Sequence, residues 1–189
     1  LTLTYNNAFL ELLGVPVLYT PWLRHPDASV NRASGLLIPD FGTSSQLGFT
    51  LSLPYYWNIA PNKDLTITPI VTTGEGIILS AEYRHRIPAG TFSFSGSGTY
   101  VEERNDLNMP LGNKTTRGHL FGKGQFDISD TWRWGFDTAI TSDETYLRRY
   151  DISEADSLIS KMYIERFSGR NHFVATAYAF QGLRADKST

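Results

Sequence analysis

The sequence contains no cysteine and no long apolar run. Without cysteine this chain forms no internal disulfide, and most structural zinc sites are excluded. No apolar stretch approaches the roughly 20 residues that a transmembrane helix needs. The first four residues, LTLT, include neither the basic region nor the apolar segment of a signal peptide, so we expect an internal fragment of a longer precursor.

An excess of charge of one sign is also lacking. The net charge is −2 and the pI is near 6.1, which gives no electrostatic reason to expect nucleic acid as a partner. The histidines stand in no HxH or HxxxH pair, so we predict neither a metal site nor a cofactor; they are His25, His85, His119 and His172. The serine–glycine run at 93–98 has no strand–turn–helix context for a nucleophile. We therefore predict that the chain is not an enzyme.

The sequence does contain predicted strands at regular intervals. Short segments rich in aromatic and β-branched residues recur between turn residues, at 47–57, 65–71, 77–86, 91–102, 117–128, 132–141, 158–167 and 171–181. Two connections are long and polar, at 103–116 and 142–157, and we expect at most one helical turn, at 153–159. Residues 1–23 read as two or three strands broken at Asn6–Asn7 and Gly14. The rhythm suits an antiparallel membrane barrel and also a soluble β-sandwich, and composition does not separate the two.

Alternation separates two faces of the predicted sheet. Phe92 and Phe94 share one face, whereas Ser93, Ser95 and Ser97 share the other. The polar face also collects cations, which are Arg84, Arg86, Lys123, Arg133 and Lys161. They are candidates for binding an anionic ligand, but pairing with neighbouring carboxylates is the interpretation we favour for most of them; those carboxylates are Glu82, Asp127, Asp137 and Glu165.

Two predicted strands each contain an interior proline, Pro54 and Pro69. Proline has no N–H to donate to a ladder, so it marks an edge or a seam of weakened pairing. The aromatic residues Tyr55, Tyr56 and Trp57 follow Pro54 directly. The alternative is that Pro54 starts a bend and Pro69 ends a strand.

Three motifs surround these prolines: SGLLIP at 34–39, PYYWNIAPN at 54–62, and TITP at 66–69, with Asp64 before the last. Together they resemble the LPS-assembly protein family LptD, whose members are outer-membrane β-barrels that deliver lipopolysaccharide to the bacterial surface. The upstream segment 15–23, VPVLYTPWL, resembles the part of the family that leads into the barrel.

The resemblance implies an all-β fold in two parts. Residues 1–34 would be the C-terminal end of a periplasmic β-jelly roll and a linker, and residues 35–189 the first eight or so antiparallel strands of the transmembrane barrel. The strands would form an incomplete arc whose last strand is an open edge. The family's lateral gate has prolines at the positions that match Pro54 and Pro69, so these are the predicted gate residues, with Tyr55, Tyr56 and Trp57 beside them.

The resemblance also implies partners and a location. The partners are lipopolysaccharide, outer-membrane lipid, the plug lipoprotein LptE inside the barrel and the bridge protein LptA on the jelly roll. The location is the outer membrane of a Gram-negative cell, with the N-terminal segment in the periplasm. The five cations of the polar face would then meet the phosphates of lipid A.

The orientation of the loops leaves two alternatives open. A periplasmic N-terminal part makes 58–64 extracellular and the long loops periplasmic, although periplasmic turns of barrels are short. Either the strand count is wrong by one or the family departs from the convention.

Two other functions fit the strand pattern. One is a soluble β-sandwich that binds carbohydrate, with Trp57, Trp132 and Trp134 as a stacking platform. The other is a passive porin-type channel.

Overall fold

The computed structural model describes residues 2–12, 14–26, 32–104 and 110–184, and it divides the chain into two compact units, residues 1–35 and 36–189. In the first unit, β1 (Thr2–Leu12) and β2 (Val15–Pro26) form one antiparallel hairpin. Gly14 turns between them with φ +81°. Asn6–Asn7 does not end a strand, contrary to our prediction, because Asn7 takes a positive φ of 55° inside β1 and Tyr19 donates a hydrogen bond to its side chain. The assignment of this unit to a jelly roll remains a prediction.

The remaining strands form a single antiparallel sheet, which confirms the all-β fold. In chain order the elements are β3 (Gly35–Leu36), β4 (Asp40–Ser44), β5 (Gly48–Ser52), β6 (Tyr55–Ala60), β7 (Lys63–Thr72), β8 (Gly76–Ile87), β9 (Gly90–Arg104), β10 (Pro110–Asp127), β11 (Trp132–Thr141), α1 (Tyr146–Arg149), β12 (Ser157–Ser168) and β13 (Asn171–Gly182). The order across the sheet is β13-β12-β11-β10-β9-β8-β7-β5-β4, with β6 paired to β7 and β3 to β6. Within the described residues β13 pairs only with β12, so it is an open edge, as expected for an incomplete arc.

If β3 with β4, and β5 with β6, are each counted as one interrupted strand, the described part of the sheet has nine strands, one more than predicted. The segment 35–44, which we left unassigned, supplies β3 and β4, and β4 pairs with β5 from Asp40↔Ser52 to Ser44↔Gly48. The segment was missed because it is short and interrupted at residues 37–39. Pro54 therefore lies in the break between β5 and β6, at the second strand position across the sheet, and Pro69 lies inside β7 at the third, whereas we predicted both inside the first two strands.

The strand order shows which connections share an end of the sheet. The short turns at 61–62, 88–89, 128–131 and 169–170 lie at one end, which we call the near end. The turns at 45–47 and 73–75 and the long connection 142–156 lie at the opposite end, the far end. The long connection thus lies at the opposite end from the turn after β6, as the sequence predicted, and which end faces the periplasm stays a prediction.

The far end also extends further than the sequence predicted. Much of the predicted polar loop 103–116 is strand, because β10 begins at Pro110 and Lys114 pairs with Glu102 in β9. Residues 105–109 lie outside the described part. Polar residues on both faces of these extensions gave no alternation to detect.

Alternation along the strands gives the sheet an aromatic face and a serine face. Phe126 stacks on Trp134 at 4.6 Å and Phe94 on Phe136 at 5.7 Å, all on the aromatic face. The rings lie over glycines: a Cβ on Gly122 would come within 2.6 Å of Phe94. The opposite face presents Ser93, Ser95, Ser97 and Thr99, and within this unit no second sheet covers it in the described ranges.

The buried core is small and lies on the serine face at the far end. It consists of Leu47, Ile78, Tyr146, Leu147, Tyr150, Leu158 and Leu183. In the described part of the chain the helical turn is α1, not the predicted 153–159, because Tyr146, Leu147 and Tyr150 bury their side chains there, whereas 157–159 begin β12. Among the described residues, no helix has the length and apolar character needed to cross a membrane.

Candidate functional site

Three prolines lie side by side across the first three strands. The register places Ser52 opposite Ile70 and Tyr55 opposite Ile67, so Leu53 faces Pro69 and Pro54 faces Thr68. Asp40 is opposite Ser52, which puts Pro39 next to the same level. We call Pro39, Pro54 and Pro69 the proline row.

The row interrupts pairing where it crosses the sheet. The Leu53 N–H donates to the Pro69 carbonyl at 3.1 Å, but Pro69 has no N–H to return to Leu53. On the opposite side of this strand, the Pro54 carbonyl accepts a hydrogen bond from the Leu37 N–H at 2.8 Å. Pro54 has no N–H to donate in return. Pro39 and Pro54 occupy breaks between strand segments, whereas Pro69 lies inside β7. The pairings between neighbouring strands therefore lack backbone N–H donors at the same level of the sheet.

Sequence reasoning missed Pro39 as a member of this row. It had used the motif that contains Pro39 only to recognise the family. A signal was present, because Pro39, Pro54 and Pro69 are evenly spaced in the chain. Equal spacing across antiparallel strands joined by turns of similar length brings residues to comparable heights in a sheet.

The aromatic residues beside Pro54 divide between the two faces. Tyr55 and Trp57 are 43% and 49% exposed on the aromatic face. Tyr56 lies on the serine face, where its hydroxyl donates to Asp64 at 3.4 Å. The proline row thus has exposed rings on one side and a polar network on the other.

All five predicted cations lie on the serine face. Arg84 pairs with the buried Asp64 at 2.8 Å rather than with Glu82. Arg133 pairs with Asp127 at 3.0 Å and with Glu165 at 3.6 Å, as predicted.

The other three cations are exposed, and in the part of the chain that the structure describes no carboxylate lies within ion-pair distance of them. They are Arg86, Lys123 and Lys161. The register sets Asp137 between Lys123 and Lys161, at a separation beyond ion-pair contact. These three side chains are the ones that remain available to an anionic ligand on this face.

The long connection 142–156 folds onto the serine face, and we call it the inward loop. Tyr146 and Leu147 are 0% and 1% exposed. The Tyr146 and Ser97 hydroxyls are 2.7 Å apart, and Ser97 also contacts His119 Nδ1 at 2.9 Å. The loop therefore packs into the far end of the polar face instead of extending away from the sheet.

Two ion pairs secure the inward loop. Arg117 of β10 donates to both oxygens of Asp143, at 2.8 and 2.6 Å. Arg149 donates to Glu75 Oε1, through Nε at 2.9 Å and through Nη2. The Tyr150 hydroxyl donates to Glu75 Oε2 at 3.2 Å.

The titration of the loop side chains reflects these contacts. Partial burial acts to raise the pKa of Asp143, but hydrogen bonds from Arg117, Thr145 and Ser142 outweigh it and hold the pKa well below its usual value. Burial, followed by the nearby Glu75 carboxylate, raises the pKa of the Tyr150 phenol. Asp143 is thus charged and Tyr150 neutral at physiological pH.

A polar cavity of about 290 Å³ lies between the inward loop and the ends of β9 and β10. Its lining includes Arg117 and Arg149, which are already paired to carboxylates. Across the described ranges, no group of three or more acidic or histidine side chains could hold a metal ion.

The three tryptophans of the carbohydrate-binding alternative do not form a platform. Trp57 lies in β6, and four strands separate it from Trp132 and Trp134 in β11. Trp134 is stacked on Phe126, and Arg166 lies over Trp132 at 5.4 Å. The structure therefore does not favour that alternative.

Comparison with known proteins decides the family. A family model described as LptD protein matches residues 4–135, and one described as LPS transport system D matches residues 115–189. The chain belongs to the LptD family. The matches cover both the hairpin of the first unit and the sheet of the second.

Curated relatives agree with this assignment. The chain is 38% identical over 146 residues to the LPS-assembly protein LptD of Actinobacillus pleuropneumoniae serotype 7 (strain AP76), a match that covers 77% of this chain and 18% of the relative. It is 35% identical over 152 residues to the protein of the same name from Pasteurella multocida (strain Pm70), covering 80% and 19%. With that from Chromobacterium violaceum (strain ATCC 12472) it shares 52% identity over 83 residues, covering 44% and 10%.

The chain thus spans less than a fifth of the length of these relatives. Their names describe the assembly of lipopolysaccharide and not an enzymatic reaction, which agrees with the predicted non-enzymatic class.

Proposed function

We propose that this chain is part of a lipopolysaccharide transporter of the outer membrane, and that its sheet is the gate-bearing part of the barrel wall. The observation that carries the proposal is the proline row at the edge of an open antiparallel sheet. The family assignment supports it, because the relatives are named for lipopolysaccharide assembly.

The cargo sets the physical requirement for such a wall. Lipopolysaccharide joins acyl chains, which belong in the bilayer, to sugars and phosphates, which need a wet path. A barrel that delivers it sideways needs a seam with few inter-strand hydrogen bonds, since each contributes roughly 0.5–1.5 kcal/mol net. Pro39 and Pro54 on the first two strands, with Pro69 behind them, meet this requirement. The gate is the edge formed by β3 and β4.

The two faces suit the two parts of the cargo. The aromatic face, with Tyr55 and Trp57 exposed, faces lipid. The serine face lines the lumen, where Arg86, Lys123 and Lys161 bind phosphate groups by charge-assisted hydrogen bonds. Arg84 and Arg133 serve mainly in ion pairs that hold the wall together.

The partners and the location follow from the same assignment. The first unit, with residues 1–34 as the end of a jelly roll, lies in the periplasm and receives lipopolysaccharide from LptA. LptE occupies the lumen, against the serine face. The near end of the sheet is periplasmic and the far end extracellular.

A reversible lock on the seam tests the gate. In the full-length protein, Phe41→Cys in β4 is joined by a disulfide to a cysteine in the facing position of the closing strand. Lipopolysaccharide delivery to the cell surface stops under oxidation and returns on reduction.

The matched control is a disulfide between Thr66→Cys and Glu82→Cys, which pair across β7 and β8 and remain paired during delivery. Undiminished delivery with the seam locked contradicts the gate and leaves a passive channel, the second candidate function.

A further inference from the structure

The hairpins β4–β5 and β7–β8 are attached at the far end of the sheet to a part of the chain that is distant in sequence. The turn at 45–47 joins β4 to β5, and the turn at 73–75 joins β7 to β8. Both turns contact the inward loop, residues 142–156, or the core that it forms. The attachment has an apolar part and a polar part.

Leu47 provides the apolar part. It is 6% exposed and belongs to the same buried cluster as Tyr146, Leu147 and Tyr150 of the inward loop. A turn residue at the tip of a two-stranded edge is ordinarily solvated. Its burial shows that the tip of the β4–β5 hairpin packs against the core that the loop forms.

Glu75 provides the polar part. Its side chain is 7% exposed, and both of its oxygens accept hydrogen bonds from the inward loop, one from Arg149 and the other from Tyr150. A carboxylate so far removed from water is stable only with such partners. The β7–β8 hairpin is therefore fixed to the loop by a charged contact between residues more than seventy positions apart in sequence.

The two turns are also bonded to each other. The Gly74 N–H donates to the Leu47 carbonyl at 3.0 Å, and the Thr73 N–H donates to the Phe49 carbonyl at 3.1 Å. A Cβ on Gly74 would come within 3.0–3.2 Å of the backbone of residues 46 and 47, so the approach is close. Turns and loop form one connected unit at the far end.

The near side of the proline row is held by side chains of the sheet itself. Tyr56 donates to the buried Asp64, which pairs with Arg84. The edge segment β3 is two residues long, Leu37 donates a hydrogen bond to the Pro54 carbonyl, and Pro39 and Pro54 interrupt the strands beyond it. The inward loop thus acts on the far tips of the hairpins, at the opposite end of the strands from β3.

We propose that the inward loop is the anchor of the gate: Glu75, Arg149 and Tyr150 position the far ends of the β4–β5 and β7–β8 hairpins and hold them in place while the seam opens. This inference rests on the proposed gate. It adds a positioning role for residues far from the seam, which act through the turns and not on the cargo.

Hydrogen exchange on the full-length protein in lipid nanodiscs tests the anchor. In the wild type, the Leu37 amide exchanges faster than the Thr73 and Gly74 amides. Glu75→Gln removes the charge with little change in shape. It accelerates exchange of the turn amides and of the inward loop together, by about 10- to 100-fold, the range expected for lost hydrogen bonds to a charged group.

Arg148→Gln is the matched control. Arg148 is adjacent to Arg149, but it pairs with Glu154 and Asp156 of the loop itself, at 3.4 Å. It leaves exchange at Thr73 and Gly74 unchanged. The exchanged pair Glu75→Arg with Arg149→Glu restores much of the protection, which a purely steric role of Glu75 does not predict.

Two results overturn the anchor. One is wild-type protection of Thr73 and Gly74 in Glu75→Gln, and the other is equal loss of protection in Arg148→Gln. If Glu75→Gln does not assemble, Tyr150→Phe, which removes only the hydroxyl that donates to Glu75, accelerates the same amides several-fold, and its failure to do so is equally decisive.

Delivery of lipopolysaccharide, measured in parallel, separates this inference from the proposed function. Coupled exchange in a protein whose locked seam still delivers cargo supports the anchor and contradicts the gate. A delivery defect in Glu75→Gln with unchanged exchange contradicts the anchor and leaves the gate standing.

Discussion

Returning an N–H to the pairing between Leu53 and residue 69 should strengthen the wall beside the gate edge. In Pro69→Ala, residue 69 regains a donor that faces the Leu53 carbonyl, because the Leu53 N–H already donates to the carbonyl of residue 69 at 3.1 Å. Residues opposed in this way exchange both hydrogen bonds in an antiparallel ladder. Pro54→Ala adds a donor on the side of Leu37 in the same manner.

The size of the effect follows from one net hydrogen bond. At about 0.5–1.5 kcal/mol for each added bond, the opening equilibrium falls by about 2- to 12-fold for each variant. Native-state hydrogen exchange at the Leu53 amide reports this change directly. Lipopolysaccharide delivery should slow in the same variants, and most in the double variant.

Pro88→Ala is the control. Pro88 lies in the exposed turn between β8 and β9, so its replacement frees the unfolded chain in the same way without adding a bond to the seam. Unaltered exchange at Leu53 in Pro69→Ala would refute the missing-bond argument. Slower exchange with wild-type delivery would show that this pairing takes no part in the gate.

Three further predictions concern the sheet and the inward loop. Gly122→Ala places a Cβ 2.6 Å from the Phe94 ring, so the ring must shift. The urea midpoint of unfolding should fall by an amount equivalent to about 1–3 kcal/mol of unfolding free energy. Gly182→Ala, whose Cβ meets nothing within 4 Å, should leave the midpoint unchanged. Leu147→Ala should cost the loop about 2–5 kcal/mol and accelerate tryptic cleavage there at least about tenfold; an unchanged cleavage rate contradicts the buried position. Because the pKa of Asp143 is lowered in the folded state, its contribution is complete above its ordinary pKa, near 3.9, and is lost only as the pH falls through the lower folded value. Asp143→Asn should therefore weaken loop protection at pH 7 by about 1 kcal/mol, given an exposure of 34%, and a variant as protected as wild type would show that the Arg117 pair contributes nothing.

The strand pattern and the family were readable from local signals. Alternation at 92–99 identified the two faces, because successive side chains of a strand point to opposite sides whatever the neighbours are. The motif PYYWNIAPN identified the family, and Pro54 and Pro69 could be singled out because proline lacks a donor in any fold.

Errors arose where a residue's role depends on distant partners. The edge strand at 35–44 is too short and interrupted to be recognised alone, and only pairing with β5 makes it a strand. Its omission hid Pro39 as a member of the proline row. The partner of Arg84 was not found for a similar reason, since Asp64 lies opposite it on the adjacent strand and was not among the candidate carboxylates.

By itself, the sequence determined the class of fold, the family, the polarity of each face and the seam weakened by proline, because these depend on residue type and on periodicity along the chain. Only the tertiary structure decided that residues 142–156 pack on the serine face, that Glu75 pairs with Arg149, and that Leu47 is buried at the tip of the β4–β5 hairpin. Such contacts are set by the register of the intervening strands and by burial against them, and no local pattern in a chain encodes a distance between residues so far apart.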